Sequence, residues 1–211
     1  MLVKAIISSE NTNIVETEVT KGNGEIERKC VSLESYIAAL KNCTEKEEEF
    51  IHLGQLPYGY VDSKISISEL STFSVVVQLP KDIRPIMYYE GVYQVPFPSL
   101  FMYFNVIESK VVESKCFAAV GDETKLYHYP FGNVHSNGKI CWGNMNLPKV
   151  QTLEEVNVLV SMFLSSDTND DLFSTNQVGM TQRALIEEIK VLKEFPVEKL
   201  RVSDYDKTII L

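Results

Sequence analysis

Residues 130–144 are the most informative stretch of this chain. They are Pro130-Phe131-Gly132-Asn133-Val134-His135-Ser136-Asn137-Gly138-Lys139-Ile140-Cys141-Trp142-Gly143-Asn144. The stretch holds three glycines, three asparagines and one cysteine, and it lies between a strand pattern and a helix pattern. Because Gly and Asn tolerate left-handed backbone, it predicts an ordered, bent loop with a tight turn at Asn137-Gly138. Loops held by a rigid sheet often carry chemistry, so Cys141 is the first candidate functional residue.

Strand patterns dominate the chain upstream of this loop. From Ile65 onward, short polar or glycine-containing connections separate apolar segments of strand length. The predicted strands are Phe73–Leu79, Ile86–Tyr89, Leu100–Ile107, Lys115–Val120 and Leu126–Tyr129. Connections this short favour an antiparallel meander. In the segment Leu100–Ile107 both the odd and the even positions are apolar, apart from Asn105. Since alternate side chains of a strand point to opposite faces, this predicts a strand covered on both faces.

Helical periodicity replaces the strand pattern after Cys141. Thr152 to Glu155 fits a T-x-x-E capping box. An apolar stripe follows at Val156, Leu159, Val160 and Phe163, and the polar run 165–171 should end that helix. A last helix is predicted over about residues 181–195, with Leu185, Ile189 and Leu192 on one face and Pro196 at its end. Strands followed by helices indicate an α+β fold.

Residues 1–60 are expected to form an N-terminal α+β extension, and residues 61–211 the core. Two strands are predicted within residues 2–20, around the turn at residues 8–11, and a second turn at residues 21–24. Ser32 should cap a helix whose apolar face holds Leu33, Tyr36, Ile37 and Leu40. The charged run 45–49 is interpreted as a solvated loop or face.

Composition and charge exclude several classes of protein. The 211 residues are 45% hydrophobic and 23% charged, as in a soluble globular protein. A net charge of −9 without a basic stretch disfavours nucleic-acid binding. No apolar run reaches the roughly 18 residues of a membrane span, and the N-terminus lacks the regions of a signal peptide. We therefore expect a cytoplasmic protein.

The cysteines and histidines argue against a metal site. Cys30, Cys43, Cys116 and Cys141 form no CxxC pair, and the chain has only three histidines. The sequence also lacks a P-loop for a nucleotide. We expect reduced cysteines and neither a metal nor a cofactor.

The cysteine loop resembles the active-site segment of ubiquitin-conjugating enzymes. That segment begins with His-Pro-Asn and continues through a short turn to Gly-x-Ile-Cys. The corresponding residues here are Phe131-Gly132-Asn133 and Gly138-Lys139-Ile140-Cys141, so Phe131 and Gly132 replace the family's His and Pro. The eight-residue separation of Asn133 and Cys141 matches the family's commonest form.

Two further stretches carry the resemblance more loosely. Ser166–Leu172 is similar to the Asp- and Asn-rich loop that follows the family's next helix. Arg84–Tyr89 together with Pro96–Leu100 resembles the bacterial branch called PRTRC system protein B, or prokaryotic conjugating-enzyme family D. The resemblance covers about residues 84–172 and does not extend to residues 1–60.

The resemblance implies both a fold and an activity. The fold would be ubiquitin-conjugating-enzyme-like, with an antiparallel meander sheet packed against helices. The activity would be that of an acyltransferase, which carries a ubiquitin-like protein as a thioester on Cys141 and passes it to a lysine of a protein acceptor. A ThiF-like activating enzyme would load the cysteine and use the ATP.

The resemblance also implies roles for three further residues. Asn133 is a candidate oxyanion donor, and the alternative is that it only pins the loop through hydrogen bonds. Asp170 and Asp171 are candidates for orienting the acceptor lysine and taking up its proton, and the alternative for each is a solvated loop carboxylate. Apart from the resemblance, Trp142 lies next to the cysteine and is either a core anchor or part of a partner-docking surface.

Three other functional hypotheses remain open at this point. The chain could be a non-catalytic binding module that scaffolds a ubiquitin-like protein and its activating enzyme. It could be an unrelated cysteine hydrolase, which would require His128 or His135 beside Cys141. The extension 1–60 could dock the activating enzyme.

Overall fold

The computed structural model describes residues 2–7, 13–22, 24–43, 54–66, 68–173 and 179–208, and of residues 2, 3 and 39–43 it describes the backbone alone. The chain forms two compact units, Met1–Ile51 and His52–Leu211. The boundary expected after residue 60 falls at the first strand of the second unit, Tyr60–Ile65. The predicted turn at residues 8–11 and the charged run 45–49 lie outside the described residues.

The first unit is a three-stranded antiparallel sheet followed by a helix. Its strands, in the order β1-β2-β3, and its helix α1 are Leu2–Ile7, Ile14–Thr20, Ile26–Ser32 and Leu33–Cys43. The Ser35 N–H donates to Ser32 Oγ at 3.1 Å, which confirms the predicted helix cap. Strand β3 was not predicted, because its largely exposed run of Glu27, Arg28 and Lys29 hides the apolar alternation.

Six antiparallel strands form the main sheet of the second unit, in the order β12-β10-β9-β8-β5-β4. They are β4 Tyr60–Ile65, β5 Phe73–Leu79, β8 Ser99–Ile107, β9 Lys110–Ala119, β10 Lys125–His128 and β12 Val202–Asp206. Strand β8 is covered on both faces, as predicted. Leu100 and Phe104 lie in the larger core cluster, whereas Phe101 lies with Val76 and Phe117 in the smaller one.

A second, three-stranded sheet interrupts the expected meander. It contains β6 Asp82–Tyr88, β7 Gly91–Phe97 and the short β11 Asp167–Thr168, in the order β11-β6-β7. The prediction of one continuous meander is wrong here, since β5 pairs with β8 and the β6–β7 hairpin leaves the main sheet. Pro85 and Pro96 lack an N–H for the ladder, which disfavours this pair inside a central sheet.

Two helices of the second unit pack on the larger core cluster. They are α2 Val156–Leu164 and α3 Gln182–Ile189, and a short 3₁₀ turn follows at Val197–Lys199. The predicted apolar stripe of α2 is confirmed, because Val156, Leu159, Val160 and Phe163 are all buried. The predicted capping box is wrong: α2 has no side-chain cap, and the Glu155 carboxylate accepts instead from the Gln151 N–H at 2.6 Å.

The last helix is shorter than its periodicity predicts. It ends at Ile189 rather than near residue 195, and Leu192 is 40% exposed. Phe195 and Leu200 turn inward and join the core, and the chain then returns to the main sheet as β12, which was not predicted. The resulting sheet-dominated architecture with few helices is compatible with the α+β class. Among the described residues, no helix has the length and apolarity needed to span a bilayer.

Candidate active site

Within the cysteine loop, residues 133–141 fold as a tight hairpin. The Cys141 N–H donates to the Asn133 carbonyl at 2.8 Å and closes its open end. At its tip the Gly138 N–H donates to the His135 carbonyl at 2.8 Å, and Gly138 has a φ of +82°. This geometry confirms the turn that Asn137-Gly138 predicts, because Gly adopts positive φ at little cost.

The hairpin pairs with β9 at Ser114–Cys116, next to the part of that strand that pairs with β10. The Ile140 N–H donates to the Ser114 carbonyl at 2.9 Å, and the Cys116 N–H donates to the Gly138 carbonyl at 2.8 Å. Ile140 is buried in the core, whereas Cys141 is half-buried with a free thiol. The sheet therefore holds the Cys141 thiol at the end of a rigid element.

Cys141 opens into a cleft of about 560 Å³. One wall is the end of the hairpin, and the facing wall is the acidic loop, defined here as residues 165–172. Met87 from β6, together with Trp142 and Met145, adds apolar surface. The structure thus brings together the two segments whose sequences resemble ubiquitin-conjugating enzymes, the cysteine loop and the acidic loop.

Asn133 ties the acidic loop to the hairpin. Its Nδ2 donates to Ser166 Oγ at 3.1 Å and to the Asp167 carbonyl at 2.6 Å, so both amide hydrogens are engaged. Its φ of +70° is a left-handed conformation that Asn tolerates better than most residues. This arrangement favours the pinning role, since an oxyanion donor would need one of these hydrogens.

The two candidate aspartates have different surroundings. Asp171 lines the cleft, and its carboxylate accepts from Asn169 Nδ2 at 3.0 Å. Asp170 accepts from the hydroxyls of Tyr88 and Tyr89 at 3.0 and 3.1 Å and does not line the cleft. Of the two, Asp171 has the better position to meet a group that approaches Cys141.

Gly132 and Gln182 support the site and were not singled out from the sequence. A Cβ on Gly132 would lie 2.5 Å from Thr168 Oγ1 and would also clash with the Asn169 carbonyl oxygen. Gln182 is fully buried, and its Nε2 donates to the same Thr168 hydroxyl at 3.2 Å. The replacement of the family's Pro by Gly132 was the one available signal.

Aromatic packing explains two other features of the loop. Phe131 is buried against Phe97, with ring centroids 4.8 Å apart, so it anchors the loop in the core. Trp142 Nε1 donates to Ser114 Oγ at 2.8 Å, and its ring packs 6.2 Å from that of Phe163. Trp142 is therefore a core anchor that also forms part of the cleft wall.

Among the cysteines and histidines whose side chains the structure describes, only Cys141 lines this cleft. Cys116 is fully buried, and burial raises the pKa of its thiol well above the usual value. Cys30 is exposed in the first unit. Burial lowers the pKa of the His128 imidazole, and neither His128 nor His135 is among the described residues that line the cleft. The geometry therefore gives no support to a cysteine hydrolase.

Comparison with known proteins identifies one family. The model of a family described as prokaryotic E2 family D matches residues 69–203, which is more than half of the chain. The matched region contains the Cys141 hairpin, the acidic loop and Met87 of β6, which line the cleft. Neither the search of curated proteins nor the search of solved structures found a match.

Proposed function

Since the chain belongs to prokaryotic E2 family D, we propose that it carries a ubiquitin-like protein as a thioester on Cys141 and transfers it to a lysine of a protein acceptor. Family membership implies an E2-like conjugating role and interaction with ubiquitin-like proteins. The observation that carries the proposal is the free, half-buried Cys141 thiol in a cleft that faces the acidic loop.

The first step is charging by thioester exchange. The Cys141 thiolate attacks the carbonyl carbon of the ubiquitin-like protein's C-terminal residue, which is held as a thioester on the activating enzyme. A new S–C bond forms and the activating enzyme's thiolate leaves. A cysteine thiolate is a strong nucleophile, and exchange of an acyl group between two thiolates needs little help from a general base. The site therefore needs no histidine base for this step.

The second step is discharge to an amine. The acceptor lysine, with an ordinary pKa of about 10.4, must lose a proton before its nitrogen attacks the thioester carbon. A C–N bond forms through a tetrahedral oxyanion, the C–S bond breaks, and Cys141 leaves as the thiolate. Asp171 lies in the cleft where it can orient the amine and accept its proton. Asn133 keeps Asp171 in place by holding the acidic loop at Ser166 and Asp167.

Three partners follow from the proposal, and the first is the ubiquitin-like protein itself. A ThiF-like activating enzyme would supply the activated ubiquitin-like protein and consume the ATP, and the resemblance to PRTRC system protein B supports such neighbours. The protein acceptor would present its lysine to the open side of the cleft.

A charging assay with matched cysteine variants tests the proposal. A ThiF-like activating enzyme and the ubiquitin-like protein that it loads would be incubated with ATP and wild-type, Cys141→Ala or Cys30→Ala protein. Products would be separated on non-reducing gels with and without dithiothreitol. Cys30 is the control because it is an exposed thiol in the other unit.

The expected result is an adduct of the wild type and Cys30→Ala that dithiothreitol removes and Cys141→Ala lacks. Failure of the wild type to charge, while the activating enzyme loads itself, would contradict the proposal. That result would leave the non-catalytic binding module as the better account of the family membership.

A further inference from the structure

The acidic loop is held by two tyrosines of the β6–β7 hairpin. The Tyr88 hydroxyl lies 3.0 Å from each carboxylate oxygen of Asp170, and the Tyr89 hydroxyl donates to Asp170 Oδ2 at 3.1 Å. Hydrogen bonds to an ionised acceptor are among the stronger ones in proteins. Two neutral donors on one carboxylate therefore fix the loop at this residue.

The two rings are themselves packed in place. Tyr88 and Tyr89 meet edge to face, with ring centroids 4.7 Å apart. The Arg183 guanidinium lies 5.5 Å from the Tyr88 ring centroid, within the range of a cation–π interaction. Tyr88 is 3% exposed and Tyr89 is 57% exposed, so one hydroxyl comes from the core and the other from the surface.

The backbone of Tyr89 is in an unfavourable conformation. Its φ is +50°, in a region that bulky residues rarely adopt. Tyr89 and Glu90 form the two-residue turn between the paired Tyr88 and Gly91, and the favoured hairpin turns of this length take positive φ at their first residue. In this turn the Tyr89 N–H donates to the Thr168 carbonyl at 3.4 Å, and the Tyr89 hydroxyl reaches Asp170.

The same loop is held from its other end. Residues Asp167 and Thr168 pair in parallel with β6, and Asn133 holds the Ser166 side of the loop. Asn133 and the tyrosines therefore fix the loop on both sides of Asn169. Asp171 follows directly after the residue that the tyrosines hold and lines the Cys141 cleft.

We propose that Tyr88 and Tyr89 are positioning residues that clamp Asp170 and thereby place Asp171 beside Cys141 for discharge to lysine. This inference rests on the proposed function and assigns the two neighbouring aspartates different roles. Asp170 is the fixed point of the loop, and Asp171 is the carboxylate that meets the amine. The clamp contributes to discharge and not to charging, because thioester exchange does not require the carboxylate.

Both donors keep their protons in the pH range of the reaction. Burial and the hydrogen bond to Asp170 raise the pKa of Tyr88, and the bond to Asp170 raises the pKa of Tyr89. The clamp therefore persists at mildly alkaline pH, where a larger fraction of the acceptor lysine is neutral.

The first test removes the two hydroxyls and leaves the rings. Tyr88→Phe/Tyr89→Phe protein would be charged, ATP would be quenched, and discharge to free lysine would be followed in a single turnover at several lysine concentrations. Tyr127→Phe is the control, because its hydroxyl makes the same kind of bond, to Glu123 Oε2 at 2.8 Å, away from the cleft. We expect discharge about tenfold slower in the double variant, with charging within about twofold of wild type and Tyr127→Phe unchanged.

A second pair of variants separates the roles of the aspartates. Asp170→Asn keeps an oxygen that accepts from the tyrosines, so its discharge should stay within about threefold of wild type. Asp171→Asn removes the carboxylate that faces the amine, and its discharge should fall by about tenfold or more. If Asp170→Asn and Asp171→Asn lowered the rate of discharge equally, the proposal would be overturned.

A third measurement does not depend on charging. Amide hydrogen exchange of the peptide spanning residues 165–172 should be faster in the double Phe variant than in wild type or Tyr127→Phe. If the double Phe variant exchanged these amides and discharged to lysine at the wild-type rates, the clamp would be overturned. A wild type that never charges would refute the proposed function instead, and exchange alone would then decide whether the tyrosines hold the loop.

Discussion

Gly132→Ala tests how closely the hairpin and the acidic loop pack. The added Cβ would lie 2.5 Å from Thr168 Oγ1, and it would also meet the Asn169 backbone carbonyl. A carbonyl cannot rotate away as a flexible side chain can. The acidic loop must therefore move as a unit, away from the hairpin and against its attachments to β6 and Gln182.

The size of the effect follows from these distances. Ordinary van der Waals contact begins at 3.4 Å, so a loop whose Thr168 hydroxyl would lie 2.5 Å from the new methyl must shift by about 1 Å. Overpacking of this kind costs about 1–3 kcal/mol of the free energy of unfolding. A misplacement of about 1 Å can lower a rate by up to about 10²-fold, so discharge should suffer more than stability.

The assay pairs urea unfolding with single-turnover discharge from charged Cys141. Gly22→Ala is the control, since it adds the same methyl group where no atom lies within 4 Å and where φ is not positive. Gly132→Ala should unfold at lower urea and discharge at least tenfold more slowly, whereas Gly22→Ala should do neither. If Gly132→Ala matched wild type in both measurements, the close packing of loop and hairpin would be refuted.

Three further predictions concern single side chains. Asn133→Asp tolerates the left-handed backbone but loses both N–H donors to the acidic loop. Urea unfolding should therefore show a free energy of unfolding lower by about 1–3 kcal/mol, and an unchanged free energy would contradict the pinning role. Iodoacetamide should label Cys141 and Cys30 in the native protein and Cys116 only after unfolding, because burial keeps Cys116 protonated; peptide mass spectrometry that finds native labelling of Cys116 would oppose this. Burial lowers the pKa of His128 below its ordinary value of about 6.5, so the unfolded state binds more protons and stability should fall as pH drops below that value. His128→Asn should flatten that part of a stability–pH curve, and an unchanged slope would show that other groups cause it.

Local sequence chemistry was enough to predict the tight turn of the cysteine loop and the doubly covered strand. The turn at Asn137-Gly138 depends on two adjacent residues that favour tight turns. The burial of both faces of β8 follows from the apolar residues at both odd and even positions between Leu100 and Ile107. Such features require no knowledge of which segments meet in the fold.

Features that depend on a distant partner could not be predicted. The β6–β7 hairpin lies outside the main sheet because β5 pairs with β8, with Phe73 opposite Val106. Asp170 and Asp171 are adjacent and chemically identical, and only the tyrosines of β6 and its turn distinguish them. Likewise, Gln182 acts on Thr168 only because α3 lies behind the acidic loop.

The helical periodicity of the C-terminal segment was misleading for a related reason. Leu192 continues the spacing of Leu185 and Ile189, but the core is already closed by Phe195 and Leu200, which approach from the following turn. The helix therefore stops at Ile189, and Leu192 remains partly exposed. A correct spacing shows which residues could share a helix face, whereas the tertiary structure decides where the helix ends.

The central claim is that Cys141 itself carries the acyl group, and trapping an oxyester on Cys141→Ser tests it most directly. The variant would be incubated with the activating enzyme, the ubiquitin-like protein and ATP, and the product would be digested and mapped by mass spectrometry. We predict an adduct at position 141 that resists dithiothreitol and yields to hydroxide, and a wild-type adduct that dithiothreitol removes. A wild-type adduct mapped to Cys30 or Cys43, or no adduct beside a self-loading activating enzyme, would contradict the account.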